Sequence, residues 1–443
     1  MTNFCLYFLI SISLLGDYKN KKSEDSFQAL LKTFSQNYTK LEIPDFGFDY
    51  RENFKNIPTL EKLKTQKAFF NEYKKKLQSI DYQLLNAENK TLFKHFEYEI
   101  KFNLWRIDLE EKFKKANIET IPEGGLSKLP NTKEWYRYYA QRYTSLALSP
   151  EELESFGYQE IKRCQTEIKN IQQQLGFAND SAGFYQHLNK SEFWLKDKEL
   201  IFKTYQQIDQ TVRKNLGKLF IDIDIPEVEI KTWPNAGPQT PPGYYNPAEN
   251  TNEKGVFYFN FYGEKHNSRA MDWLYIHEAI PGHHYQFSKR QDLLSESGFK
   301  ALFLYPGNFE GWGAYVEYLG QDLGLYQNPY TRLGKWEWDL VRSLRVVLDV
   351  GIHYRGWTKA EALAFWKKNI ANQDEIAERE VNRCINWNGQ VLSYKVGAWK
   401  IEQLRQKLVA QKVKKFDIRQ FHADYLSFGQ TPLTVIEEMM LQN

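Results

Sequence analysis

Cysteine is scarce in this chain of 443 residues: Cys5, Cys164 and Cys384 are the three. An odd number of cysteines so far apart makes neither a disulfide framework nor a cysteine-ligated zinc site. Cys164 and Cys384 are expected as idle helix residues. An excess of charge of one sign is also lacking. Lys and Arg number 59 against 56 Asp and Glu, a formal +3, so the charge balance gives no case for a nucleic-acid partner. No repeat of fixed period and no low-complexity segment occurs. Nor is any hydrophobic run long enough to span a bilayer comfortably. The candidate, FCLYFLISISLL at 4–15, falls short of the ~20 residues a spanning helix needs. It has the length of a secretory h-region, but no Lys or Arg precedes it. Asp17 follows Gly16 where a lipoprotein would carry Cys. Residues 1–16 are set apart as a candidate leader: an exported protein if they act as a signal, a cytoplasmic one if they do not.

Aromatic residues are plentiful, at 16%, so a cleft in this chain is expected to be lined with Tyr, Trp and Phe. From about residue 24 to 225, stretches such as FKHFEYEIKFNLWRIDLEEKFKKA and ELIFKTYQQIDQTVRKNLGKLF repeat apolar residues at helical spacing. Ser149-Pro150-Glu151-Glu152 reads as a helix start with a capping box. Between 221 and 262, IPEVEIKTW and GVFYFNFY read as short strands around a turn-rich loop. Helical patterns resume from about 267, with breaks at PGNFEG, QNPY and NWNG. The expected fold is mainly α: a large multi-helix body with a small β element near 221–262 beside the helix described next. Residues 17–225 form an N-terminal helical region and 226–443 the remainder.

HEAIPGHH, His277 to His284, carries the chemistry. Helical zinc-peptidase sites place two histidines four apart around a glutamate. Here the fourth position is Pro281, which cannot bind a metal. In a regular helix the position seven on lies about 20° from His277's direction, and the one six on about 240° round, which favours His284 over His283. Pro281 and Gly282 break that regularity. A bulge looping out two residues would bring His283 to the ligand position instead. Spacing alone leaves both open.

A zinc site also needs a third protein ligand. A turn at Pro306-Gly307-Asn308 is read as preceding a helix with Glu310 and Glu317 on one face. Glu310 is the expected third ligand, and Glu317 either ligates or steadies a ligand histidine. In WEWDLVRSLRVVLDVGIHYRGW, Arg342, Arg345, Asp349 and His353 make one polar stripe on an apolar helix. Such a stripe must be paired or line a wet cavity. Asp349 and His353 are expected to orient one another, and the arginines to meet Glu317 or a substrate carboxylate. Tyr394, after Gly389, is placed to donate to an oxyanion. His95, His187 and His422 lie in charged stretches and are expected at the surface or at caps.

The stretches HEAIPGHHYQ, EGWGAYVEYLGQDLGLY, RVVLDVGIHYRGWT and EVNRCINWNGQVLSYKVG, with LALSPEELESFG upstream, resemble the bacterial family catalogued as domain of unknown function 885. Asn388 and Cys384 depart from that family's usual residues. The family is similar to the gluzincin metallopeptidases, and its motif is spaced H-E-x-x-P-G-H. The resemblance implies that His283, directly after Pro-Gly, is the second ligand, and it supports Glu310 as the third. A gluzincin-like body follows from it, as does a periplasmic or envelope location if the leader is a signal.

The expectation is a zinc-dependent hydrolase of short peptides, with one Zn²⁺ per chain held by His277, His283 and Glu310. Glu278 is its general base, Tyr394 and His353 its oxyanion donors, and Arg342 and Arg345 its substrate-binding groups. The two regions are expected to form one catalytic unit across a cleft. Partners are a peptide or small amide, with no nucleic acid and no membrane span. The alternative is a non-peptide amide hydrolase or a catalytically silent metal-binding protein.

Overall fold

The computed structural model describes residues 2–248, 253–289, 297–411 and 416–442, with the side chains of 2–18 outside the description. The fold is mainly α, as composition and periodicity predict. The first helix, Thr2–Tyr38, includes the apolar run in its opening turns; the leader reading concerns side chains outside the described residues. Among the described residues no helix is long and apolar enough to cross a membrane.

The predicted helices form because their apolar residues share a face. In Lys198–Leu216, Ile201, Tyr205, Ile208, Val212 and Leu216 are buried at spacings of three and four, and the Asp197 side chain caps the first turn. Pro150–Gln174 starts on the expected capping box, with Ser149 and Glu152 bonded reciprocally. One hydrophobic core joins the N-terminal helices to the rest: Phe34 and Phe96 both pack on Phe299.

Two close helix crossings matter for the site. Pro150–Gln174 lies against the buried helix Pro329–Val350 at Gly157, where a Cβ would stand 2.6 Å from Val347 Cγ2. Pro306–Val316, the glutamate helix, crosses Leu392–Gln411, the tyrosine helix, glycine on glycine: a Cβ on Gly311 would stand 2.7 Å from Gly397 Cα. Larger residues there would force the backbones apart. Lys395 then ties the tyrosine helix to the buried one through Asp339, at 2.5 Å.

The β element is a three-stranded sheet. Val256–Phe259 lies in its centre, parallel to Glu229–Thr232 and antiparallel to Gly243–Asn246. Alternation puts Phe257 and Phe259 inward, where Phe257 packs on Tyr205 and Tyr275. A separate pair, Trp194–Leu195 with His266–Asn267, is antiparallel.

Two expectations are corrected. Pro306-Gly307-Asn308 is the first turn of the glutamate helix, not a turn before it; proline is at home there because the first helical N–H groups need no partner. His95 and His422 are fully buried rather than superficial. Their charged neighbours in sequence occupy other faces of the same helices, while the rings meet Tyr305 and Tyr315 hydroxyls at 2.5 and 2.9 Å. His187 is half-buried against Tyr330. Cys164 and Cys384 are buried and free, as expected, and burial pushes both thiols up.

Candidate metal centre

The motif helix, Met271–Glu278, is buried throughout. Its regular ladder ends with the Ala279 N–H donating to Tyr275 O at 2.7 Å. The chain then loops out through a cis Ile280-Pro281 bond and Gly282, and a second short helix runs His283–Ser288. The Tyr285 N–H donates to Ala279 O at 3.3 Å, so this bond spans six residues where a helix spans four. Looping out two residues brings His283 beside His277, their rings 4.8 Å apart. Gly282 is required: a Cβ there would stand 1.9 Å from His277 O. Trp312 Nε1 donates to Pro281 O at 2.9 Å, locking the loop to the helix that carries Glu310.

Glu310 Oε2 faces both imidazoles, 3.7 Å from His277 Nε2 and 3.4 Å from His283 Nε2. The ligating atoms of His277, His283 and Glu310 all lie within 4.8 Å of one another. Tetrahedral zinc with bonds of ~2.1 Å separates its ligands by ~3.4 Å, close to the two distances from Glu310 to the imidazoles, so the set is sized for the ion. The chemistry fits as well, two imidazoles and one carboxylate converging on a point.

Glu317 does not converge there. Its Oε1 accepts from His277 Nδ1 at 2.7 Å, and its Oε2 accepts from Arg342 at 2.6 Å. The His277 ring therefore lies between two glutamates of one helical stretch, Glu310 at Nε2 and Glu317 at Nδ1. Gly313 makes this possible: a Cβ there would stand 2.8 Å from His277 Cε1. Gly313→Ala should aid the helix by ~1 kcal/mol on propensity yet push the ring from its place. A competitive chelator titration of this variant is expected to show zinc affinity lower by about tenfold or more.

Burial works against a charge on His277, but the carboxylates of Glu310 and Glu317 that face its two nitrogens win and raise it to about 9. Burial works against the Glu310 charge too, but His277 and His283 facing it hold its carboxyl well below the usual carboxylate range. At pH 7 a chain without metal therefore holds His277 as the imidazolium, whose second proton a cation must expel because only the neutral ring ligates. Calorimetry of zinc binding at pH 7, in buffers of differing ionisation enthalpy, is expected to report release of about one proton. Affinity should rise with pH and level off above about 9.

Glu278, 7% exposed, follows His277, and its carboxylate has no hydrogen bond among the described residues; burial raises its carboxyl. His284 stands outside the cluster. Its ring meets the Tyr245 hydroxyl and Pro226 O, both at 2.9 Å, pinning the sheet to the motif. Tyr394 stacks on His277 with centroids 6.3 Å apart, and its hydroxyl accepts from Arg383 at 3.0 Å.

The polar stripe on the buried helix is paired, as burial demands. Arg342 meets Glu317, and Arg345 meets Glu380 at 2.7 Å. Both guanidiniums are thus committed to carboxylates, which leaves the expected substrate contact without a free partner. His353 is likewise committed. Nδ1 accepts from the Leu126 N–H at 3.1 Å and Nε2 donates to Cys384 O at 2.7 Å, so no nitrogen remains for an oxyanion. Nor does it orient Asp349, which accepts from the Gly389 N–H at 2.7 Å and fixes the loop before Tyr394. Sequence reasoning missed Gly313 and Arg383. Gly313 had a signal, a second glycine in an otherwise helical GWGAY; Arg383 had none, lying among the charges of an amphipathic helix.

Residues 108–440 match the model of a family described as bacterial protein of unknown function, DUF885. No curated protein matches the chain. A solved structure of the putative lipoprotein from Colwellia psychrerythraea is similar, with a TM-score of 0.66 and 26% identity over 84% of this chain and 66% of that one. This chain thus spans just under two thirds of that relative. A putative lipoprotein of unknown function from Shewanella oneidensis shares the fold at a TM-score of 0.61 and 22% identity, over 87% of this chain and 74% of that one. His277, His283, Glu310 and Tyr394 all fall inside the family match. On that match, the chain belongs to the DUF885 family of bacterial proteins.

Proposed function

We propose that the protein is a zinc-dependent hydrolase of peptide bonds that acts on short peptides. The observation that carries this reading is the convergence of His277, His283 and Glu310 beside a buried carboxylate, Glu278, that no side chain hydrogen-bonds among the described residues. A purely structural zinc site has no use for such a carboxylate. Two histidines flanking a glutamate, with a ligand glutamate on a later helix, is also the arrangement of gluzincin peptidases, to which the motif is similar.

Bound zinc would supply a water of lowered pKa and a Lewis acid for the scissile carbonyl. The chain supplies the rest. Glu278 accepts the proton of the attacking water on a carboxylate oxygen and delivers it to the leaving amine. The Tyr394 hydroxyl, held by Arg383, donates to the oxygen where negative charge develops. Gly243–Asn246 is an edge strand of the sheet beside the motif helix, a place for an extended peptide to pair. We also read the protein as exported, on the naming of its solved neighbours as lipoproteins and on the apolar run at 4–15. Asp17 stands where a lipid-bearing cysteine would be.

The test is incubation of the zinc-loaded protein with a library of short peptides, read by mass spectrometry. New termini that vanish with chelator and return with zinc are expected. A loaded protein that cleaves none of them contradicts the reading in favour of a silent metal site or a non-peptide amide hydrolase.

A further inference from the structure

We infer that Arg383 anchors a substrate carboxylate, so that the preferred substrates are peptides with a free C-terminus within about three residues of the cleaved bond. The inference rests on the hydrolase reading above and adds to it a substrate class and a specificity residue.

Three guanidiniums surround the Tyr394 ring: Arg342 and Arg345 at 5.7 Å and Arg383 at 5.5 Å. The first two are neutralised by Glu317 and Glu380. Glu380 also takes Arg379, at 2.9 Å. Arg383 makes no ion pair with a carboxylate among the described residues: Glu380 and Glu310 act on it only from a distance. Its two hydrogen bonds both leave from Nη2, to Gln390 Oε1 at 2.9 Å and to the Tyr394 hydroxyl at 3.0 Å, and both acceptors are neutral. Its Nε is buried with no partner. A buried guanidinium Nε with no acceptor calls for one, and the planar fork suits a carboxylate.

Exposure points the same way. His277, Glu317, Arg342, Arg345 and Glu380 are sealed, none more than 3% exposed. Glu310, Tyr394 and Arg383 are only part-buried. The open lip of the site therefore runs from a ligand carboxylate past the phenol to the guanidinium of Arg383. The Tyr394 ring stacks on His277 at 6.3 Å, and Arg383 lies 5.5 Å from the Tyr394 ring. Those two steps span at most about three extended residues of a bound peptide. A C-terminal carboxylate can reach Arg383 from a bond cleaved at the cluster only if the substrate ends near that bond.

The experiment compares one peptide as free acid and as C-terminal amide, on wild type, Arg383→Gln and Arg383→Lys, each checked for zinc content and thermal melting. Wild type is expected to favour the acid by about 10- to 100-fold in kcat/KM, mainly through KM, the range of a charged hydrogen bond. Arg383→Gln should bring the acid-to-amide ratio to about one, and Arg383→Lys should restore part of it. Binding of N-acetyl-phenylalanine and its amide to the Glu278→Gln protein, by calorimetry, reads the same preference without turnover. Equal cleavage of acid and amide by wild type overturns the inference and leaves the hydrolase reading standing. So does an Arg383→Gln protein that loses kcat equally on both, which would make Arg383 a positioning residue for Tyr394. If wild type cleaves neither peptide, the hydrolase reading is what fails, and the acetyl-phenylalanine pair still decides whether Arg383 holds a carboxylate.

Discussion

Glu278→Gln is expected to bind zinc as wild type does and to lose about a thousandfold in kcat. The substitution keeps the size and the polar character of the side chain at a site 7% exposed, so packing changes little. Glu278 is not among the converging ligands, so metal content should hold. What disappears is a carboxylate able to take and return a proton, and positioned proton transfer contributes 10²- to 10⁴-fold. A thousandfold is about 4 kcal/mol of transition-state stabilisation. Burial raises the Glu278 carboxyl, which fits a group that must both hold and release a proton. Retention of most of the activity with zinc bound would remove Glu278 from the mechanism.

Glu317→Ala should be the most damaging change away from the ligands themselves. Glu317, 1% exposed, links His277 and Arg342, which is 2% exposed. Its loss leaves a buried guanidinium whose remaining hydrogen-bond partner among the described residues is His277 Nδ1, at 3.3 Å. Removing one partner of a buried pair costs about 3–5 kcal/mol, so the urea midpoint should fall sharply. Zinc affinity should fall about 10- to 100-fold, because the ring loses the acceptor that fixes its tautomer and angle. Adding Arg342→Leu separates the two effects. The double variant should regain much of the stability, since no charge is left stranded, without regaining the affinity. A Glu317→Ala protein unchanged in both measurements would contradict the role given to this pair.

The helices were legible because their burial follows sequence periodicity, down to the Ser149–Glu152 capping box. The sheet was legible as β-forming runs, although its strand order was not. At the site, the ligand types could be read and the geometry could not. Regular helix geometry favoured His284, a bulge at Pro281-Gly282 favoured His283, and only the family's motif decided between them. The structure gives the reason: the Ile280-Gly282 loop-out breaks helix phase, and phase is what spacing arguments use. The polar stripe could be recognised as needing partners, but Glu317, Glu380, Gly389 and Cys384 approach it from other elements, which no local pattern reveals. Arg383 stayed hidden for the same reason. Its lack of an ion-paired carboxylate among the described residues is a property of the packed molecule, visible only once the glycine crossing at Gly311 and Gly397 has brought Tyr394 over the cluster.

The most direct measurement is elemental analysis of zinc in the purified wild type beside His283→Ala and His284→Ala. About one zinc per chain is predicted for wild type and for His284→Ala, whose lost ring bonds hold the sheet and not the metal. His283→Ala should contain none. A wild type that takes up no zinc when it is offered, or a His284→Ala protein that loses zinc while His283→Ala keeps it, would contradict the account.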